Sequence, residues 1–311
     1  MVTIRDVAKE AGVGVGTVSR YINGDNAVKT KNKVLINDAI KKLGYEVNSI
    51  ARSMKTQKTM TIGVIVHSLT NKFSMRVIEN IERYLEYKGY SIIVAGCGNN
   101  EKVQYEKILR IKKRMVDGLI LMPVTNDSRK IRDIVTTTPC ILVDRLLDEN
   151  IFDSVTIDNE TMVFEKICEV TKLGFKNFAI IEGPENISNA VERKNGFYKA
   201  LRKNNIECVF SISADYSVDG GFEAMKKVLE KDIDVVFASN NEQLEGALKA
   251  LNGSDKKIYI IAFDGIDLPW LLNVPFSFIE QPIEEIGRKA AELLIERIEN
   301  PDMSIKNIVI R

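Results

Sequence analysis

Apolar residues follow two different periods along this chain, and the change falls near residue 60. Before it, Ile4, Val7, Ala8 and Ala11 recur at the spacing of one helical face, and Thr3 with Asp6 predicts a capping-box start. Gly12 supplies a left-handed stop. A second helix is predicted from about Val15 to Asn23, then a break at NGDNA. A third is predicted from about Lys31 to Leu43, with Ile36, Ile40 and Leu43 as its stripe and Gly44 as its stop. Three short helices with a tight glycine turn between the first two fit a helix-turn-helix head.

From Met60 strands and helices alternate. Apolar runs at 60–66, 90–95, 119–123 and 139–143 are separated by helical stretches starting near Lys72, Asn100 and Ser128. A second series of strands lies near 154–157, 177–182, 207–212, 234–238 and 258–263, with helices near 160–173, 190–204, 218–231 and 242–251 between them. A last helix from about Ile283 to Glu299 and a final strand, IKNIVI, are joined by a turn at Pro301 and Asp302. Parallel sheets wrapped by helices are expected, and two series suggest two doubly wound lobes. The stretch NSIARSM, Asn48 to Met54, is too short for a stable isolated helix and reads as a linker able to order when held.

Composition narrows the function. With 311 residues, 45% hydrophobic and 28% charged, the chain is expected to be globular with two or three domains. No apolar run approaches the ~20 residues that span a bilayer. The start MVTIRDVAKEA carries charges where a signal peptide needs an apolar core, so a cytoplasmic protein is expected. Cys97, Cys140, Cys168 and Cys208 form no CxxC pair, and His67 is the single histidine, so no metal or cofactor motif appears and reduced thiols are expected. The net charge of +1 hides an asymmetry: residues 1–60 hold 11 Lys/Arg against 5 Asp/Glu, and the rest 33 against 38. A basic head on an acidic body is a nucleic-acid-binding footprint.

The stretch GVGVGTVSRYING, 12–24, carries glycines that suggest a phosphate loop. Such a loop needs a strand before it, and here a helical pattern precedes it in a GxGxG rather than GxGxxG spacing. The helix-turn-helix reading explains more. Val13, Val18 and Ile22 pack inward, while Thr17, Ser19 and Arg20, with Tyr21 beside them, offer hydroxyls and a guanidinium for phosphates and base edges. An ordinary helical hairpin with a solvated polar face is the plain alternative.

The head TIRDVAKEAGVGVGTVSRYING, followed by VLINDAIKKLGYEVNSIARSM, resembles the LacI/GalR family of bacterial transcription regulators. The resemblance continues through TIGVIVHSLTNKFS, VDGLILMP, ILVDR, TIDN, ERKNGFYKAL, FASNN, IIAFDG and IEQPIEEIGRKAAELLIERI, so it covers essentially the whole chain. It implies a head at 1–46, a hinge helix and linker at 47–59, and a periplasmic-binding-protein-like body at 60–311. The N-lobe would take about 60–157 and 283–300, and the C-lobe about 158–282 and 301–311. It also implies a dimeric, repressor-like protein on a two-fold operator, controlled by a small effector of sugar, sugar-acid or sugar-phosphate type. It leaves room for a phosphocarrier corepressor protein.

By the resemblance, DNA contacts fall on Thr3, Val15, Gly16, Thr17, Ser19, Arg20, Asn23, Asn48, Ala51, Met54 and Lys55. Met54 stands where the family's wedge is usually leucine. Gly14 replaces a usual serine at the helix cap, and Val15 and Gly16 occupy the base-reading positions. Val15 offers only apolar contact and Gly16 none, so weaker direct readout is expected, supplemented by the deformable centre of the site.

The effector pocket implied is Phe73, Asp144, Asp158, Arg193, Tyr216, Asn241, Asp264, Trp270 and Gln281. Arg193 would anchor hydroxyls or a carboxylate. Asn241 stands where sugar-binding members usually have Asp, which points to an acidic effector. Two rivals remain. An enzyme would need His67, yet no GxSxG elbow accompanies it. A secreted solute-binding protein would need a signal peptide and has no use for a basic head. The chain ends at IVIR without a coiled-coil tail, so a dimer rather than a tetramer is expected.

Overall fold

The computed structural model describes residues 2–22, 27–45, 58–252, 254–265 and 274–311. Of the sequence expectations, those on Asn23, Asn48, Ala51, Met54, Lys55 and Trp270 lie outside the described residues. The chain divides into two units, 1–59 and 60–311.

In the first unit, α1 (Ile4–Glu10), α2 (Val15–Ile22) and α3 (Thr30–Leu43) enclose a small core of Val7, Ala8, Ala11, Val18, Val28, Ile36 and Ala39. The start of α1 is fixed by Asp6, whose carboxylate accepts from the Thr3 backbone N–H at 2.8 Å and from its hydroxyl at 2.7 Å. Gly12 takes φ 64° in the turn to α2, and Gly44 takes φ 59° at the end of α3, values that an L side chain would strain. Tyr21 departs from the expected outward face. It packs against this core with Ile22, because positions 18, 21 and 22 share one side of α2.

The second unit holds two parallel sheets. The first contains β1 (Thr61–Val66), β2 (Ser91–Gly96), β3 (Gly118–Leu121), β4 (Cys140–Val143), β5 (Asp153–Ile157) and β11 (Asn307–Ile310), in the order β11-β5-β4-β3-β1-β2. The second contains β6 (Phe178–Glu182), β7 (Cys208–Ser213), β8 (Val235–Ala238), β9 (Tyr259–Phe263) and β10 (Phe276–Ile279), in the order β10-β9-β8-β6-β7. Alternation assigns the strand faces. Ile62, Val64 and Val66 join the core under α4 (Lys72–Tyr87) and α11 (Ile283–Glu299). Ile65 points to the opposite core, under α5 (Glu101–Lys112) and α6 (Ser128–Val135). In the second lobe Phe178 and Ile180 meet α7 (Asn159–Thr171) and α8 (Ser188–Lys203). Ala179 and Ile181 face α9 (Val218–Leu229) and α10 (Asn241–Leu251). No helix among the described residues is long and apolar enough to cross a membrane.

In this second unit two features differ from expectation. Residues 301–311 do not belong to the second lobe: Ile308 and Ile310 pair in register with Val155 and Ile157 in the first sheet. The turn is fixed there by Arg297, which donates to the buried Asp153 carboxylate at 2.6 and 2.8 Å, while the same carboxylate accepts from the Lys306 N–H at 2.8 Å. Strand β10 was not anticipated, since FSFI is a four-residue run without a long apolar signature.

Candidate functional site

Parallel strands in both lobes end at the same place, the cleft, where doubly wound sheets gather their loops and helix starts. A narrow chamber of about 20 Å³ there is lined by His67, Asn71, Phe73, Asp144, Arg145, Asn189, Arg193, Tyr216, Asn240, Asn241, Asp264 and Gln281. Seven of the nine residues expected to bind an effector therefore meet in one chamber. Trp270 falls outside the described residues, and Asp158 is placed elsewhere. Its carboxylate caps α7, accepting from the Thr161 N–H at 3.1 Å, and its other oxygen lies 3.8 Å from Arg311. The strand-to-helix crossing that made Asp158 look like a ligand residue uses its carboxylate for the helix start.

Arg193 is 2% exposed and rises from α8. Its Nε donates to Asn159 Oδ1 and its NH1 to the Ser239 carbonyl, both at 2.8 Å. Its guanidinium carbon lies 3.6 Å from the centre of the Phe263 ring, and NH2 is 3.9 Å from Asp144. Three fixed sides leave one edge facing the chamber. Asp144, at the end of β4, accepts the Asn189 amide on both oxygens at 3.0 Å. Asp144 and Asp264 both sit in the left-handed region, φ 70° and 63°, where non-glycine residues are rare and concentrate at functional sites. Gln281 Nε2 donates to Asp264 at 2.8 Å. Tyr216 packs over Gly183, where a Cβ would meet the ring at 2.5 Å.

Electrostatically the chamber is tuned by burial. Desolvation raises the Asp264 carboxyl to about 6, against the opposing pull of Arg193 and Gln281. Desolvation, reinforced by the Arg145 charge, drives His67 down to about 3 and keeps its ring neutral. The Tyr216 hydroxyl is raised by burial. Asn189 Oδ1, Tyr216 OH and Gln281 Oε1 are buried here without a hydrogen-bond partner, and Arg145 Nε has only an ion-pair contact, 3.4 Å from Asp144. Unsatisfied polar atoms lining a cleft chamber suit a polar ligand. His67 has no well-placed nucleophile beside it, since Ser74 Oγ stands 3.4 Å from each ring nitrogen. Sequence reasoning did not find Asn71, Arg145, Asn189 or Asn240. Arg145 and Asn240 each adjoin a residue that it did find, and nothing in the sequence alone marks Asn71 or Asn189.

In the head, Val15, Gly16 and Arg20 are exposed on α2, with Thr17 and Ser19 half-buried beside them. Gly14 heads the helix through its carbonyl, which accepts from the Thr17 N–H at 2.8 Å and the Val18 N–H at 3.2 Å. No atom lies within 4 Å of the space a Gly16 side chain would fill. The Thr3 hydroxyl proton is committed to Asp6, so in this arrangement Thr3 has no side-chain donor to offer a phosphate oxygen.

Known proteins resemble the chain over its full length. A family model described as bacterial regulatory proteins, lacI family, matches residues 3–48. A second, described as periplasmic binding proteins and sugar binding domain of LacI family, matches residues 59–311. The catabolite control protein A of Priestia megaterium is 30% identical, covering 98% of this chain and 95% of that protein. The ribose operon repressor of Escherichia coli K12 is 29% identical, covering 97% and 95%. Among solved structures, the lac repressor dimer bound to operator and the anti-inducer ONPF superposes with a TM-score of 0.86 at 22% identity, over 99% of this chain and 96% of that one. The complex of the regulator CelR with cellobiose gives 0.73 at 26% identity, over 100% and 97%.

Proposed function

The chain belongs to the LacI family of bacterial regulatory proteins, and from that premise we propose that a neutral, polyhydroxylated effector of monosaccharide size controls its grip on operator DNA. It is a DNA-binding transcriptional regulator and not an enzyme. The observation that carries the effector reading is that unsatisfied acceptors and donors stand side by side in the chamber, as a group that both donates and accepts requires. Asn189 Oδ1 and Gln281 Oε1 are buried without a donor beside the carboxylates of Asp144 and Asp264. Hydroxyl groups can donate to these atoms and accept from Arg193 and Arg145, whereas a phosphate or carboxylate brings no donor at neutral pH. This weighs against the acidic effector that Asn241 suggested. The chamber itself holds only about 20 Å³, so a sugar ring enters as the lobes part and the adjoining cavities of about 220 and 200 Å³ contribute. Since several relatives of this chain are ribose operon repressors, D-ribose heads the candidates.

A thermal-shift panel of neutral pentoses and hexoses, sugar acids and sugar phosphates tests the reading. A neutral monosaccharide is expected to raise the melting temperature. If only sugar acids or phosphates do so, the reading fails.

On the DNA side, the protein acts as a cytoplasmic homodimer whose α2 enters the major groove, with Arg20 and Thr17 as the main readers. Asn48, Ala51, Met54 and Lys55 carry the hinge role that family membership suggests, with Met54 as the apolar wedge in the minor groove. A gel shift on the DNA upstream of the protein's own gene is expected to show binding that weakens with salt and is lost on deleting residues 1–58. Binding unaffected by the deletion would overturn this assignment.

A further inference from the structure

Three cavities adjoin in the cleft, and one hydrogen bond stands where they meet. The inner chamber of about 20 Å³ neighbours two outer cavities of about 220 and 200 Å³. Asn241 lines all three, and Asn71 lines the inner one and the smaller outer one. The two side chains come from opposite lobes and meet there: Asn71 Nδ2 donates to Asn241 Oδ1 at 3.2 Å.

The orientation of this contact is fixed from one side. Asn71 Oδ1 caps α4, accepting from the Ser74 N–H at 3.1 Å, so its amide nitrogen is the atom left to face Asn241. Asn241 is free of capping duty, because Asn240 caps α10 by accepting from the Gln243 N–H at 2.8 Å. Asn71 is 4% exposed and held rigidly by its cap.

We propose that the Asn71–Asn241 hydrogen bond is the gate of the inner chamber, closed by the protein itself, and that its opening sets the rate at which an effector enters and leaves. Asn241 thereby serves closure through its side-chain oxygen, a role that the family's usual Asp would also fill. The inference rests on the cleft being the effector site, but the gate is measurable without any effector.

The reporter is the Leu146 backbone N–H, which donates across the cleft to Ser188 Oγ at 2.8 Å and is protected from exchange only while the lobes are closed. Hydrogen exchange is read on the ligand-free full chain. Asn241→Asp keeps an acceptor for Asn71 and leaves Leu146 exchange unchanged or slower. Asn71→Asp with Asn241→Asp sets two carboxylates face to face near Glu242 while keeping both caps, and speeds Leu146 exchange about tenfold. Asn241→Ala, which disturbs neither cap, speeds it about fivefold, the worth of one ordinary hydrogen bond. The amides of Val64 and Ile120 in the first sheet serve as the control for an intact fold. If they also speed up in the double variant, Asn241→Ala carries the test. Leu146 exchange at the wild-type rate in Asn241→Ala overturns the proposal. A failed sugar panel with Leu146 behaving as described would overturn the effector reading and leave the gate standing.

Discussion

On α2 the polar residues Ser19 and Arg20 stand where water can satisfy them, whereas in the cleft Asp144, Asn189 and Arg193 are 6, 2 and 2% exposed and must satisfy one another. The two regions serve the same regulator but carry information differently. A surface reader makes its bonds only when DNA arrives, so its free structure fixes position and leaves energy open. A buried cleft must hold its polar groups in partly matched sets, so its unmatched atoms mark where a polar partner can bind. Substitution should therefore cost stability in the cleft and only affinity on α2.

The largest effect is expected from Arg193→Met. It leaves Asn159 Oδ1 and the Ser239 carbonyl without the Arg193 donors and removes one of the two guanidinium groups beside Asp144, and should cost about 3–5 kcal/mol in denaturant unfolding, with the effector-induced thermal shift abolished. A loss below about 1 kcal/mol would mean that these groups find water, and the contrast with α2 would collapse.

Next comes a pair of opposed pH dependences. The ordinary value of His67 is 6.5 and the folded one about 3, so the folded state binds fewer protons and loses stability as pH falls below 6.5. Asp264 runs the other way. Its carboxyl is enclosed although the residue keeps some surface, and it moves from 3.8 to about 6, so its contribution is full below 3.8 and disappears as pH rises through 6. Between pH 6.5 and 5 the histidine should cost roughly 2 kcal/mol and the aspartate return roughly 1 kcal/mol. His67→Gln should thus flatten the acid-side loss measured by urea unfolding at several pH values, and Asp264→Asn should steepen it. Parallel shifts in both variants would contradict the opposed signs.

Smaller again is Arg20→Ala, expected to weaken operator binding by about 1–3 kcal/mol in fluorescence anisotropy while the melting temperature of the body stays put. A concurrent loss of effector response would blur the division between the regions.

How far the sequence reached follows the same division. Periodicity located the helices of the head and nearly every strand, because a buried face repeats at a fixed interval whatever its neighbours are. It misassigned 301–311, since the pairing of β11 with β5 depends on Asp153 holding Arg297 and Lys306 across more than a hundred residues. Asp144 and Asp158 both follow strands and look alike in sequence. Only the structure separates the one that faces Arg193 and Asn189 from the one that caps α7. Asn71 and Asn189 were unreadable because a polar residue gives no sign in one sequence that it will be buried.

Gly16→Ala is the finest test of the contrast. Gly16 is the second residue of α2, and nothing lies within 4 Å of where its methyl group would stand. Glycine within a helix costs up to about 1 kcal/mol relative to alanine, less so near the start, so the substitution should stabilise the isolated head by a few tenths of a kcal/mol. If the position makes no base contact, operator affinity should hold or rise slightly, because a better-formed α2 is offered to the groove. A clear fall in affinity, with the head more stable, would show that the backbone at Gly16 approaches the DNA too closely for a methyl group. The glycine would then be part of the reading surface through its absence of side chain, and half-site selection would depend on shape at that base pair instead of on the deformable centre alone.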